Sequence, residues 1–148
     1  MKTVPVMLVA IFLSCSAVAH DESSSRSQKS INTNKVPWSY VPIPELNHQL
    51  PIKPLHEDAE TGMTVLKIKY EAGFTNSWHT HNTGHGMYVL DGRLQTHKGV
   101  FGPGEFVWFP EGERMFHGAT PENDAVFIFI TNKAFDIHYD NGDKNPKK

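Results

Sequence analysis

Cysteine is almost absent from this chain: the single one, Cys15, falls within an N-terminal apolar stretch. Once that stretch is set aside, no disulfide framework and no thiolate ligand or nucleophile is available. A bilayer-spanning run is missing too, because the apolar segment Val4 to Leu13 is too short to cross a membrane. Charge is sparse and balanced, with 20% charged residues and a net charge of −2. That leaves no basic surface for nucleic acid or an anionic membrane. No stretch beyond the N-terminal segment holds a sustained helical period. At 39%, the hydrophobic share is low for a wholly globular chain and implies polar tails around a compact middle.

The N-terminus reads as a targeting segment. Met1-Lys2 is weakly positive, an apolar run follows, and Ala17-Val18-Ala19 supplies small residues at a cleavage position. The pattern is that of a secretory signal peptide, residues 1–19, cleaved after Ala19, and it implies a secreted or periplasmic protein. Residues 20–36 are rich in Ser, Asn, Lys and Gln and read as a disordered linker. Residues 140–148 read as a disordered tail. The folded domain is expected over residues 37–139.

Within that domain Leu66, Ile68 and Tyr70 alternate with Val65, Lys67 and Lys69, the period of a half-buried strand. Gly86 to Leu90, Arg93 to Lys98, Glu105 to Phe109, Ala125 to Thr131 and Phe135 to Tyr139 are further strand-like runs. Asp91-Gly92, Lys98-Gly99, Gly102-Pro103-Gly104 and Glu111-Gly112 punctuate them. Short strands at close spacing predict an all-β sandwich or small barrel. Pro37 to Pro54 is proline-dense and is expected at a sheet edge or wrapped around the barrel.

What the chain has in excess is histidine, nine in all. His79 and His81 stand two apart, so on a strand both imidazoles project from one face. His85 follows the turn-like Asn82-Thr83-Gly84, and His117 comes from a separate segment. Three imidazoles from one stretch and one from another can build a metal site. All-nitrogen ligation suits Zn, Cu, Ni or Fe better than Mg or Ca, and Mn is a further candidate. One divalent transition metal is therefore the expected cofactor. Trp78, Met87, Tyr88, Trp108, Phe109, Met115, Phe116, Phe127 and Phe129 are candidate pocket walls, of which alternation allows about half to face inward.

Gly73 to Gly92, with His79, His81, His85 and the closing Gly92 at matching intervals, resembles the first motif of the cupins. His85 stands where that family usually has glutamate. Gly104, Pro110 and Gly112 resemble part of the second motif, whose histidine position is filled here by Met115, with His117 two residues on. The resemblance implies a small cupin, a jelly-roll double-stranded β-helix barrel. It is similar to three-histidine metal cupins such as the diketone dioxygenases. It implies His79, His81 and His117 as ligands, His85 as a fourth ligand or a neutral proton acceptor, and Met115 as the alternative to His117. His97 is a candidate general base if it reaches the cavity.

Three functions follow from this reading. The first is a metal-dependent, oxygenase-type enzyme acting on a small organic substrate. The second is a non-catalytic metal-loaded module that binds or senses a small ligand, and the third is a metal-free structural barrel. A small-molecule ligand is expected, without nucleic acid and without membrane after signal cleavage. A homodimer through the proline-rich arm is possible within the same reading.

Overall fold

The computed structural model describes residues 27–140. The expected signal peptide, residues 20–26 of the expected linker, and residues 141–148 lie outside the described residues. The strands are β1 (Ser39–Ile43), β2 (His48–Glu57), β3 (Thr64–Tyr70), β4 (Thr75–Thr80), β5 (His85–Gly92) and β6 (Leu94–Thr96). They continue with β7 (Gly99–Phe101), β8 (Phe106–Phe109), β9 (Met115–Ala119), β10 (Ala125–Thr131) and β11 (His138–Tyr139). Among the described residues the one helical element is a 3-10 turn at Pro44–Leu46.

The strands form two antiparallel sheets, ordered β1-β2-β3-β10-β5-β8 and β11-β4-β9-β6-β7. The chain crosses from one sheet to the other at nearly every turn from β3 onward, which leaves the order 3-10-5-8 opposite 4-9-6-7. This is a jelly roll, as the short-strand pattern and the motif resemblance led us to expect.

Period-two alternation positions the core. Along β10, Ala125, Phe127, Phe129 and Thr131 are buried while the residues between them are half-exposed. Ile68, Tyr70, Met87, Val89, Leu94, Phe109 and Met115 join Phe127 and Phe129 between the sheets. Each such side chain contributes roughly 1.5–3 kcal/mol by leaving water.

The proline-dense arm does more than skirt the barrel. It supplies the edge strand β1 and the long β2, which lies between β1 and β3. The β2–β3 ladder shifts register between Pro54 and His56, a bulge where proline breaks the donor pattern. In the stretch read as linker, Asn32 to Lys35 close a turn, with Lys35 N–H donating to Asn32 O at 2.9 Å. The Thr33 carbonyl accepts a 2.7 Å hydrogen bond from Lys53 Nζ, which also lies 4.6 Å from the Trp38 ring centroid.

One turn depends on glycine for two reasons at once. Gly92 has φ of 75°, and a Cβ there would lie 1.8 Å from the Asp124 carbonyl oxygen. Left-handed backbone and a backbone clash both penalise any side chain. Gly92→Ala is expected to lower unfolding stability by roughly 3 kcal/mol, read as a fall in the urea midpoint at unchanged slope.

Candidate metal centre

Local strand geometry brings the imidazoles together. His79 lies on β4, His81 one residue beyond its end, His85 at the start of β5 and His117 on β9. β4 and β9 are paired, with His79 opposite Met115 and Asn76 opposite His117. A register shift between Asn76 and His79 offsets the two histidines along the ladder without turning either one outward. One ring nitrogen from each of His79, His81 and His117 lies within 4.8 Å of the other two, and all three residues are buried.

Their hydrogen bonds aim the rings. His79 Nδ1 donates to Ser77 O at 2.5 Å, and His81 Nδ1 donates to Asp136 O. His117 Nδ1 is 3.0 Å from the Tyr70 hydroxyl, whose ring lies nearly parallel to the imidazole. In all three residues Nε2 is buried without a hydrogen-bond partner. Buried polar nitrogens are rarely left this way, and here three from two separate stretches of chain share one space. That arrangement fits a single ion bound through Nε2, with Nδ1 held by a hydrogen-bonding neighbour in each case.

Electrostatics favour the ligating form. Burial pushes His79 down to about 4 and His85 down to about 3. Burial likewise lowers His81 and takes His117 well below its ordinary value, with the neighbouring imidazoles adding to the fall at His117. Near neutral pH all four are uncharged, as metal binding requires.

His85 sits beside this trio and outside it. Its ring is 4.8 Å from that of His81 and 6.1 Å from that of His117. It stacks on Phe109 and touches Phe129, and neither ring nitrogen has a partner. Met115 is fully buried opposite His79 and, two residues before His117 on β9, shares its inward face.

The general-base role expected of His97 is corrected. Thr96 is the residue paired with His117 and facing inward, so its neighbour His97 turns to the other side of the sheet. There it packs near Trp78 and Phe116, with Nε2 3.3 Å from Glu113 Oε1. His56 and His138 are exposed, whereas His48 is half-buried and stacked on Phe74.

A cavity of about 360 Å³ opens beside His117. Its walls include Leu66, Ile68, Phe129, Phe135 and Ile137, with Val41, Ile43, Leu50 and Ile52 among those from the proline-dense arm. Glu45, Thr64, Tyr70, Asn76 and Tyr139 are its other polar residues, and Tyr139 donates to Asn76 Oδ1 at 2.7 Å. Of the aromatic and methionine residues expected to wall a pocket, only Phe129 does so. Met87, Phe109, Met115 and Phe127 are core, while Tyr88 and Trp108 are exposed. The true walls come largely from β1 to β3, where proline content hid the strand pattern. Sequence reasoning also missed Tyr70 and the Asp136 carbonyl, the partners of His117 and His81. Tyr70 was legible as an inward strand residue, but nothing local signalled which ring it would meet.

Comparison with known proteins places this architecture. A family model for the ChrR cupin-like domain matches residues 26–136. An (R)-mandelonitrile lyase of Granulicella tundricola is 33% identical over 85 residues, 53% of this chain and 65% of that protein. The match therefore spans slightly less than two thirds of the relative's length. An RmlC-like cupin protein of Ralstonia eutropha superposes with a TM-score of 0.68 at 19% identity, covering 86% of this chain and 81% of that one. A candidate acetylacetone dioxygenase of Methylibium petroleiphilum gives 0.61 at 14% identity, covering 82% and 87%. At these identities the two structures speak to the fold alone.

Proposed function

The chain belongs to the ChrR cupin-like domain family, and from that premise we propose that it is a metal-dependent enzyme acting on a small, largely apolar organic molecule. The observation that carries this reading is the convergence of three buried, unpartnered Nε2 atoms from His79, His81 and His117 next to an apolar cavity. Those three residues would hold one divalent transition ion. Such an ion, when bound, supplies a Lewis acid for an oxygen of the substrate. The cavity walls would take the hydrocarbon part and exclude water around the reacting group.

Of specific reactions we favour cleavage of a 2-hydroxynitrile, supported by the 33% identity with an (R)-mandelonitrile lyase. In that reaction the O–H and C–CN bonds break, a carbonyl forms, and cyanide leaves with the electron pair and takes up a proton. His85, with both ring nitrogens unpartnered, would accept the hydroxyl proton and pass it to cyanide. The oxygenase reading, supported by the motif resemblance, predicts instead consumption of oxygen with a β-diketone. Protein loaded with Mn, Fe, Zn, Cu or Ni is expected to release benzaldehyde from mandelonitrile without oxygen. Oxygen uptake with acetylacetone and no benzaldehyde would favour the oxygenase. Ligand-induced stabilisation with no turnover in either assay would leave a binding module. We also propose export through the leader at residues 1–19, checked by N-terminal sequencing of protein recovered outside the cytoplasm, which should begin at His20.

A further inference from the structure

The three converging imidazoles do not have equivalent partners. Ser77 O and Asp136 O are carbonyl oxygens and can only accept, so neutral His79 and His81 must carry their proton on Nδ1. Their Nε2 atoms are then bare lone pairs. His117 differs, because the Tyr70 hydroxyl 3.0 Å from its Nδ1 can give or take a hydrogen bond. Among the described residues that hydroxyl has no second hydrogen-bond partner, and Tyr70 lines the apolar cavity beside His117.

We infer that metal binding reverses the Tyr70–His117 hydrogen bond and so converts the Tyr70 hydroxyl into a donor for a ligand in the cavity. This rests on the three-histidine metal reading above. Without metal, a third lone pair pointing at those of His79 and His81 is electrostatically unfavourable. A hydrogen on His117 Nε2 is favourable there, and Tyr70 then donates to Nδ1. The Tyr70 hydroxyl and His117 Nδ1 then satisfy each other. With a metal, Nε2 must be bare, so the proton sits on Nδ1 at no change in net charge. Tyr70 Oη now accepts that N–H, and its own hydrogen has no protein acceptor. A buried donor left unpaired is costly, so a bound molecule that offers an acceptor is selected. The ligand class is a compact hydrocarbon frame bearing one acceptor, a carbonyl or hydroxyl oxygen or a nitrile nitrogen, at the His117 end. Tyr70 is on this account a specificity-determining residue, and metal loading is what arms it.

The test uses full-length protein labelled with 15N-histidine, zinc as the metal, and two probes of matched shape. Acetophenone carries an acceptor and α-methylstyrene does not. In the metal-free protein the His117 nitrogen shifts should show protonated Nε2 and bare Nδ1, and one equivalent of zinc should invert them. Zinc-loaded wild type should bind acetophenone about tenfold more tightly than zinc-loaded Tyr70→Phe. α-Methylstyrene should bind both alike, and the variant should still take up one zinc. Should Tyr70→Phe fail to fold, the inversion in wild-type protein decides the matter alone. Stoichiometric zinc with Nδ1 protonated in both states, or acetophenone affinity unmoved by Tyr70→Phe, overturns this inference and leaves the metal site standing. Wild type that takes up no zinc overturns both.

Discussion

A chain carrying His79→Ala and His81→Ala together is expected to retain no metal after dialysis, whereas the wild type should keep one ion per chain by elemental analysis. Two of the three converging Nε2 atoms are gone, and a single imidazole cannot hold a divalent ion against water. Loss of a hydrogen-bonding group behind one ligand commonly weakens a metal site by 10–100-fold, so loss of two ligands should exceed about 100-fold. The rings are buried, so a near-UV circular dichroism spectrum must show that the barrel persists. His117→Ala and Met115→Ala extend the comparison. His117 joins the trio while Met115 packs in the core opposite His79. His117→Ala should therefore lower metal occupancy, and Met115→Ala should lower stability by about 2–5 kcal/mol with occupancy kept. Equal occupancy in wild type and the double variant would refute the ligand set. Loss only with Met115→Ala would exchange the two residues' roles.

Acidification should destabilise the metal-free protein steeply as pH falls below about 6.5. Unfolded histidine takes up a proton near pH 6.5, while burial holds His79 near 4 and His85 near 3 and lowers His81 and His117 as well. Between those limits the unfolded chain binds more protons than the folded one, so stability rises with pH and is lost as pH falls from about 6.5 toward 4. Each such group contributes about 1.4 kcal/mol per pH unit within its window. Glu113, held down by Lys98, and Asp58, held down by the Thr61 N–H, change protonation only at lower pH. The check is a series of urea melts on chelator-treated protein from pH 7.5 to 4.5. His85→Leu should make the dependence shallower by about one group, since His85 lies against Phe109 and Phe129 with no partner to lose. A flat profile between pH 6.5 and 5 would contradict the burial of these rings as neutral groups.

Much of the barrel could be read from local pattern because strand periodicity and turn chemistry are properties of neighbouring residues. β3, β5, β8 and β10 fall where alternation and the flanking glycines and prolines put them. The shared face of His79 and His81 follows from the same two-residue period. β2 escaped notice because Pro51 and Pro54 argue against a strand in the interior of a sheet. The chain answers with a bulge after Pro54 and with β1 as the true edge. Without β1 and β2 the cavity could not be placed, and its walls were sought among residues that turned out to fill the core or face solvent.

Composition and spacing alone were enough for an all-β chain with a histidine-rich centre, since burial of alternate residues and the absence of other strong ligands leave few options. Which imidazoles meet, and what holds each ring, depends on contacts between residues far apart in sequence. Thr96 opposite His117 sends His97 outward. The Asp136 carbonyl, 55 residues from His81, sets that ring. Tyr70, 47 residues from His117, gives the third imidazole a partner that can reverse its role. Such pairings are fixed when two sheets close over one another, because packing selects among registers that the isolated strands would tolerate equally.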